Sequence, residues 1–155
     1  MKIAIVTDST CYLPQAEIDK HHITVVPIPV ILDGAVYDEG KDITTEEFYA
    51  KLKTAKTFPS TTQPPLGEML KLYENLANEG YDTIISIHLA STISGFVNTL
   101  KGAVDEVQGA KVYVYDSQIT VILMGWLVLA AAQMAEAGDD PEAILARLDN
   151  LRTTM

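Results

Sequence analysis

The sequence holds a single cysteine, Cys11, among 155 residues. One thiol can form neither an internal disulfide nor a thiolate metal cluster, which favours a reducing, cytoplasmic home. Basic residues are also scarce: 11 Lys and Arg stand against 21 Asp and Glu, a net charge of −10. That balance leaves no electrostatic footprint for duplex DNA or RNA and opposes adsorption to anionic membranes. Any anionic ligand must then be held by dipoles and hydroxyls acting within a Debye length of roughly 10 Å. Nucleotide-binding loops are missing, since neither G-x-x-x-x-G-K-[ST] nor G-x-G-x-x-G occurs. The longest apolar run, Ile119 to Ala132, is shorter than about 18 residues and lacks basic flanks, so it is expected as a buried core helix with no stable membrane insertion. The opening MKIAIVTDST turns polar too early for a secretory signal.

What is present is an ordinary globular composition, 48% apolar and 21% charged, which fits one compact domain. Short β-branched runs alternate with amphipathic stretches. Strands are expected at Lys2 to Val6, at Ile84 to Ile87 and at Lys111 to Tyr115. The stretch ITVVPIPVIL, Ile23 to Leu32, is extended as well, but Pro27 and Pro29 withhold two ladder donors and place it at an edge or in an irregular strand. Asp33-Gly34 marks a turn leading to Val36 and Tyr37.

Helices are expected from near Pro14 to about His21, from the capping box Thr44 and Glu47 to about Ala55, over Leu66 to Glu79, from about Gly95 to Val107, through the apolar run, and after Asp139 or Asp140 with Pro141 in the first turn. This alternation predicts a three-layer α/β fold, a mostly parallel sheet with helices on both faces.

Hydroxyls cluster where these elements meet. Thr7-Asp8-Ser9-Thr10 ends the first strand, Ser60-Thr61-Thr62 lies in a loop with Pro59, Pro64 and Pro65, Ser91, Thr92, Ser94 and Gly95 follow the Ile84 to Ile87 run, and Asp116-Ser117 ends the strand after that. In an open α/β sheet the carboxyl ends of strands face the ligand crevice, and helix N–H groups there favour an anion. Each cluster alone is explained by helix capping. Capping does not require repeated hydroxyls, so a shared rim is the expectation. A serine nucleophile at Ser94 lacks the G-x-S-x-G elbow, because Thr92 and Phe96 stand where its glycines should be. His88 is expected as a core or strand-end histidine. The adjacent His21 and His22 have no carboxylate set, and no metal site is expected.

Taken together, VTDST at Val6 to Thr10 with Leu13-Pro14, VPIPV at Val26 to Val30, STTQPP at Ser60 to Pro65, ASTISG at Ala90 to Gly95 and YDS at Tyr115 to Ser117 resemble the DegV family in order and spacing. That family includes the fatty-acid-binding subunits of bacterial fatty acid kinase. The resemblance implies a non-catalytic lipid carrier without cofactor, which buries a long-chain fatty acid and presents its carboxylate to a separate kinase catalytic subunit. By position, Thr61 or Thr62, together with Ser94, matches the hydroxyls that hold the carboxylate in the family, with Gly95 allowing close backbone approach; Asp8 and Ser9 are expected at the same rim. The chain departs from the family at Ala90-Ser91, where paired serines are common, and at Phe96, where Thr is common. Members of the family look longer, with a second domain that closes over the acyl chain. Residues 1 to 155 are therefore expected to be the N-terminal domain, whose apolar floor a homodimer or a missing segment would cover. Two readings stay open beside the lipid carrier: a small-anion-binding regulatory module, and a serine hydrolase using Ser94.

Overall fold

The computed structural model describes residues 1–39 and 41–155. Among these residues the chain forms seven strands and six α-helices. In chain order they are β1 (Ile3–Asp8), α1 (Gln15–Lys20), β2 (Thr24–Val26), β3 (Pro29–Leu32), β4 (Ala35–Asp38), α2 (Thr45–Leu52), β5 (Ser60–Thr61), α3 (Leu66–Asn78), β6 (Thr83–His88), α4 (Phe96–Lys101), β7 (Lys111–Asp116), α5 (Val121–Glu136) and α6 (Pro141–Thr154). Single 3-10 turns occupy Ser9–Cys11 and Val104–Glu106.

Strands β2, β1, β6 and β7 pair in that order as a fully parallel sheet. The run TIISIH is central and buried at every position, as a strand covered on both faces requires. Side chains alternate along it, so Ile84, Ser86 and His88 face one way and Ile85 and Ile87 the other. The first face meets α3, where Tyr73 reaches Ser86, and α4, where Phe96 packs on His88. The second face meets α6: Tyr115, paired in register with Ile87, donates its hydroxyl to Asp149. The α/β architecture expected from the alternation is therefore present.

Two features differ from the reading of the sequence. The proline-rich stretch divides at Pro27 and Ile28, so that β2 is an edge of the parallel sheet while β3 joins a separate antiparallel sheet of order β4-β3-β5. The stretch after Gly95 stays helical only to Lys101, and Gly102 caps α4 before the Val104–Glu106 turn. The apolar run does form one helix, α5, with Met124, Leu127, Val128 and Ala131 fully buried. Among the described residues no helix is long and apolar enough to cross a membrane. Packing of α5 is closest at Gly125, where an added Cβ would lie 2.5 Å from the Cys11 carbonyl oxygen and 2.9 Å from Leu13. Bringing helix backbone against the Ser9–Cys11 turn requires glycine there.

Candidate functional site

Between the β2 edge of the parallel sheet and the small sheet with α2 lies a groove of about 1230 Å³. That exceeds the roughly 300–1,000 Å³ of common small-molecule clefts. Its apolar lining comes from α1 and β2 (Ile18, Ile23, Val25), from the link and small sheet (Ile28, Val30), and from Ile43, Phe48 and Leu89. Strand alternation explains this wall. Val30 and Leu32 on β3 turn inward and are buried, while Val36 on β4 is exposed. The charged side chains in the lining are Asp19, Glu39 and Lys41. The groove is thus long, largely apolar and poor in cations.

Of the hydroxyl residues expected at a shared rim, Ser9, Thr10, Ser60 and Thr61 line the groove, whereas Thr62, Ser94 and Gly95 lie outside its lining. Thr61 lines the groove, placed by its pairing with Val30, and the Thr62 amide donates to the Pro29 carbonyl at 3.1 Å. The next residue, Gln63, reaches across to the turn after β6. A Cβ on Gly95 would lie 2.9 Å from the Gln63 Nε2. The loop carrying Thr61 and Thr62 and the turn carrying Ser94 are therefore in contact, and Gly95 is what lets them close. Ser94 Oγ accepts from the Phe96 amide at 3.2 Å, while the Ile93 and Ser94 amides donate to the Ala90 carbonyl. Asp116 clamps the start of this turn, accepting from the Ser91 amide at 3.2 Å and its hydroxyl at 2.6 Å. Partial burial disfavours the Asp116 anion, but the Ser91 and Gln118 donors prevail and hold its carboxyl below the ordinary value.

Asp8 and Ser9 occupy different positions. Ser9 lines the groove, but its hydroxyl accepts from the Ile28 amide at 2.9 Å and donates to Glu39 at 2.9 Å. Tyr12 donates to the same Glu39 carboxylate at 3.3 Å. Asp8, expected at the rim, is instead fully buried and does not line the groove. Its oxygens accept from the Thr10 amide at 3.0 Å and hydroxyl, from His88 Nδ1 at 3.0 Å and from the Leu89 amide at 3.3 Å. Burial opposes ionisation of Asp8, yet the hydrogen bonds from His88 and Thr10 outweigh it and hold the carboxyl below its usual value.

His88 has both ring nitrogens engaged, by Asp8 and by Ser86, so it does not serve Ser94 as a base. It is the core histidine expected. Among the described residues no group of three or more His, Cys, Asp or Glu is arranged to hold a metal.

A family model described as "Uncharacterised protein, DegV family" matches residues 2–155. The chain belongs to the DegV family. A DegV domain-containing protein of Listeria innocua is 43% identical over 151 residues, covering 97% of this chain and 53% of that protein. The DegV protein of Bacillus subtilis is 37% identical over 156 residues, covering 55% of its length. The chain thus spans about half the length of the curated relatives it matches. Among solved structures, DegV from Bacillus subtilis, described as a fatty acid binding protein, superposes with a TM-score of 0.93 at 36% identity, covering 99% of this chain and 54% of that one. A DegV family protein from Thermus thermophilus, described by its fatty acid binding, gives 0.88 at 37% identity with the same coverage. A stearic acid-binding protein from Eubacterium ventriosum gives 0.84 at 28% identity, covering 96% of this chain and 52% of that one.

Reasoning from the DegV motifs alone passes over several residues the structure places at the site. Gln63 and Asp116 sit inside the STTQPP and YDS motifs, so their signal was present. Glu39 gave none, and with it Tyr12, because Glu39 comes to Ser9 and Tyr12 only when the small sheet folds.

Proposed function

We propose that this domain binds a long-chain fatty acid, with the acyl chain in the groove and the carboxylate at the rim, held by the hydroxyls of Thr61, Thr62 and Ser94 beside Gly95. The observation that carries this reading is a long, largely apolar groove with Thr61 in its lining, whose loop touches Gly95, the neighbour of Ser94, through Gln63. Cations contribute little to the lining, so hydroxyl and amide donors hold the anion, and the buried tail supplies most of the affinity. The same reading makes the domain a carrier: the carboxylate, held at the surface end, is presented to a separate fatty acid kinase for acyl-phosphate formation. The fatty acid binding described for the Bacillus subtilis and Thermus thermophilus relatives supports it.

Calorimetry with saturated acids of increasing length tests the reading. Each added CH₂ buried is worth roughly 0.8 kcal/mol, so affinity is expected to rise about fourfold per carbon until the groove is full. Acetate is expected not to bind measurably. Thr61→Ala and Ser94→Ala, each removing a hydrogen bond to a charged group, are expected to weaken palmitate binding roughly ten- to hundredfold. Equal binding of acetate and palmitate would point to a small-anion module instead. The carrier role is checked by acyl-phosphate production when the loaded protein, a kinase catalytic subunit and ATP are combined.

A further inference from the structure

A buried polar chain runs from α3 to the end of β1. Tyr73 Oη lies 2.8 Å from Ser86 Oγ, Ser86 Oγ lies 2.6 Å from His88 Nε2, and His88 Nδ1 lies 3.0 Å from Asp8 Oδ2. Tyr73, Ser86, His88 and Asp8 are all fully buried. The proton positions follow from the hydrogen-bond network. With the imidazole neutral and protonated on Nδ1, His88 donates to Asp8, Ser86 donates to Nε2, and Tyr73 donates to Ser86. Every hydrogen then has an acceptor. In the opposite sense Asp8 loses its imidazole donor and the Tyr73 hydrogen loses its acceptor, both at fully buried groups.

Asp8 is also where the two site turns meet. It accepts from Thr10, in the turn after β1, and from the Leu89 amide, in the turn after β6. The other side of His88 bears on Phe96, with ring centroids 4.6 Å apart and planes tilted by 60°. The amide of Phe96 is the donor that holds Ser94 Oγ. Apolar side chains would fill the same space at less desolvation cost, so the buried network is retained for orientation.

Resting on the fatty-acid reading above, we propose that His88 is a positioning residue of the ligand site. By donating to Asp8 and bearing on Phe96, it locks the Ser9–Cys11 turn and the Leu89–Gly95 turn into one arrangement, and thereby sets where Ser94 stands relative to the groove.

Two substitutions separate positioning from mere packing. His88→Asn keeps a donor where Nδ1 stands, whereas His88→Leu fills the space without one. Palmitate affinity is expected to stay within about threefold of the parent in His88→Asn and to fall at least about tenfold in His88→Leu. In ligand-free protein the Leu89 and Phe96 amides are expected to exchange at least about tenfold faster in His88→Leu than in His88→Asn, with Val114 on β7 unchanged. Parent-like binding and exchange in His88→Leu, or equal losses in both variants, would overturn the proposal. If His88→Leu does not fold, Phe96→Leu decides: it keeps every hydrogen bond and removes the ring contact, and unchanged palmitate affinity would overturn the proposal. If the parent protein itself fails to bind palmitate, the fatty-acid reading falls on its own, and the exchange comparison still decides whether His88 holds the turns.

Discussion

Two closely packed glycines answer differently to the same added methyl. At Gly125 a Cβ meets the Cys11 carbonyl oxygen, which is backbone and cannot step aside. Gly125→Ala is therefore expected to cost about 1–3 kcal/mol and to lower the melting temperature by several degrees in a thermal scan. At Gly95 a Cβ meets only the end of the Gln63 side chain. Gly95→Ala is expected to melt within about a degree of the parent yet to weaken palmitate binding, because Gln63 and the Thr61–Thr62 loop must move. Tyr73 is legible in alkaline unfolding. Burial pushes its phenol up from 10.0 to about 12, against the Ser86 hydrogen bond, so the native state keeps the proton more tightly than the unfolded chain. The resulting stability is complete below pH 10 and is lost as pH rises toward about 12; Tyr73→Phe is expected to flatten that limb of urea-measured stability against pH. Gly95 was marked in the sequence only by the family resemblance, as a place where backbone approaches a headgroup; that Gln63 occupies the space beside it emerges only in the fold. The Asp8–His88 pair could not be read there, because 80 residues separate partners whose local patterns read as a cap and as a strand end.

Among the elements, α2 was the plainest in the sequence and is the most directly testable. Thr44 Oγ1 accepts from the Glu47 amide at 3.1 Å and Glu47 Oε2 accepts from the Thr44 amide at 3.1 Å, the reciprocal pair expected from the spacing. Thr44→Ala is expected to cost about 1 kcal/mol in chemical denaturation. It should also speed amide exchange in α2, whose Phe48 and Tyr49 line the groove. Elements marked by local chemistry, such as this box or the Pro141 first turn with Asp140 as its cap, are visible in sequence because partner and signal lie within one turn of helix. The break between β2 and β3 was half visible. Prolines announce an edge, but strand alternation does not say which sheet a strand will join, so the antiparallel sheet and the groove it encloses emerge only when the chain is folded. The length of α4 was misjudged for a related reason: Gly102 reads as tolerable inside a helix until the turn beyond it is seen.

For the molecule as a whole, occupancy of the groove should register as stability. A ligand at a hundred times its dissociation constant adds about 2.7 kcal/mol, so palmitate is expected to raise the melting temperature by about 5–10 °C, and a short-chain acid by far less. The −10 net charge repels a carboxylate at long range, so this shift should grow modestly as added salt screens that repulsion. The groove wall also has a mechanical character. The chain enters the small sheet through Pro27 and leaves it through Pro64 and Pro65, links whose backbone is stiff and offers no ladder donors. Among the described residues, three hydrogen bonds join this wall to the parallel sheet side, and all pass through the side chains of Ser9 or Glu39. The wall is in effect a jaw on two rigid struts, fastened by a single latch. Its compliance is expected to reside in that latch, so that on the proposed reading a bulkier acyl chain displaces the jaw as a unit, with every rung of both sheets intact.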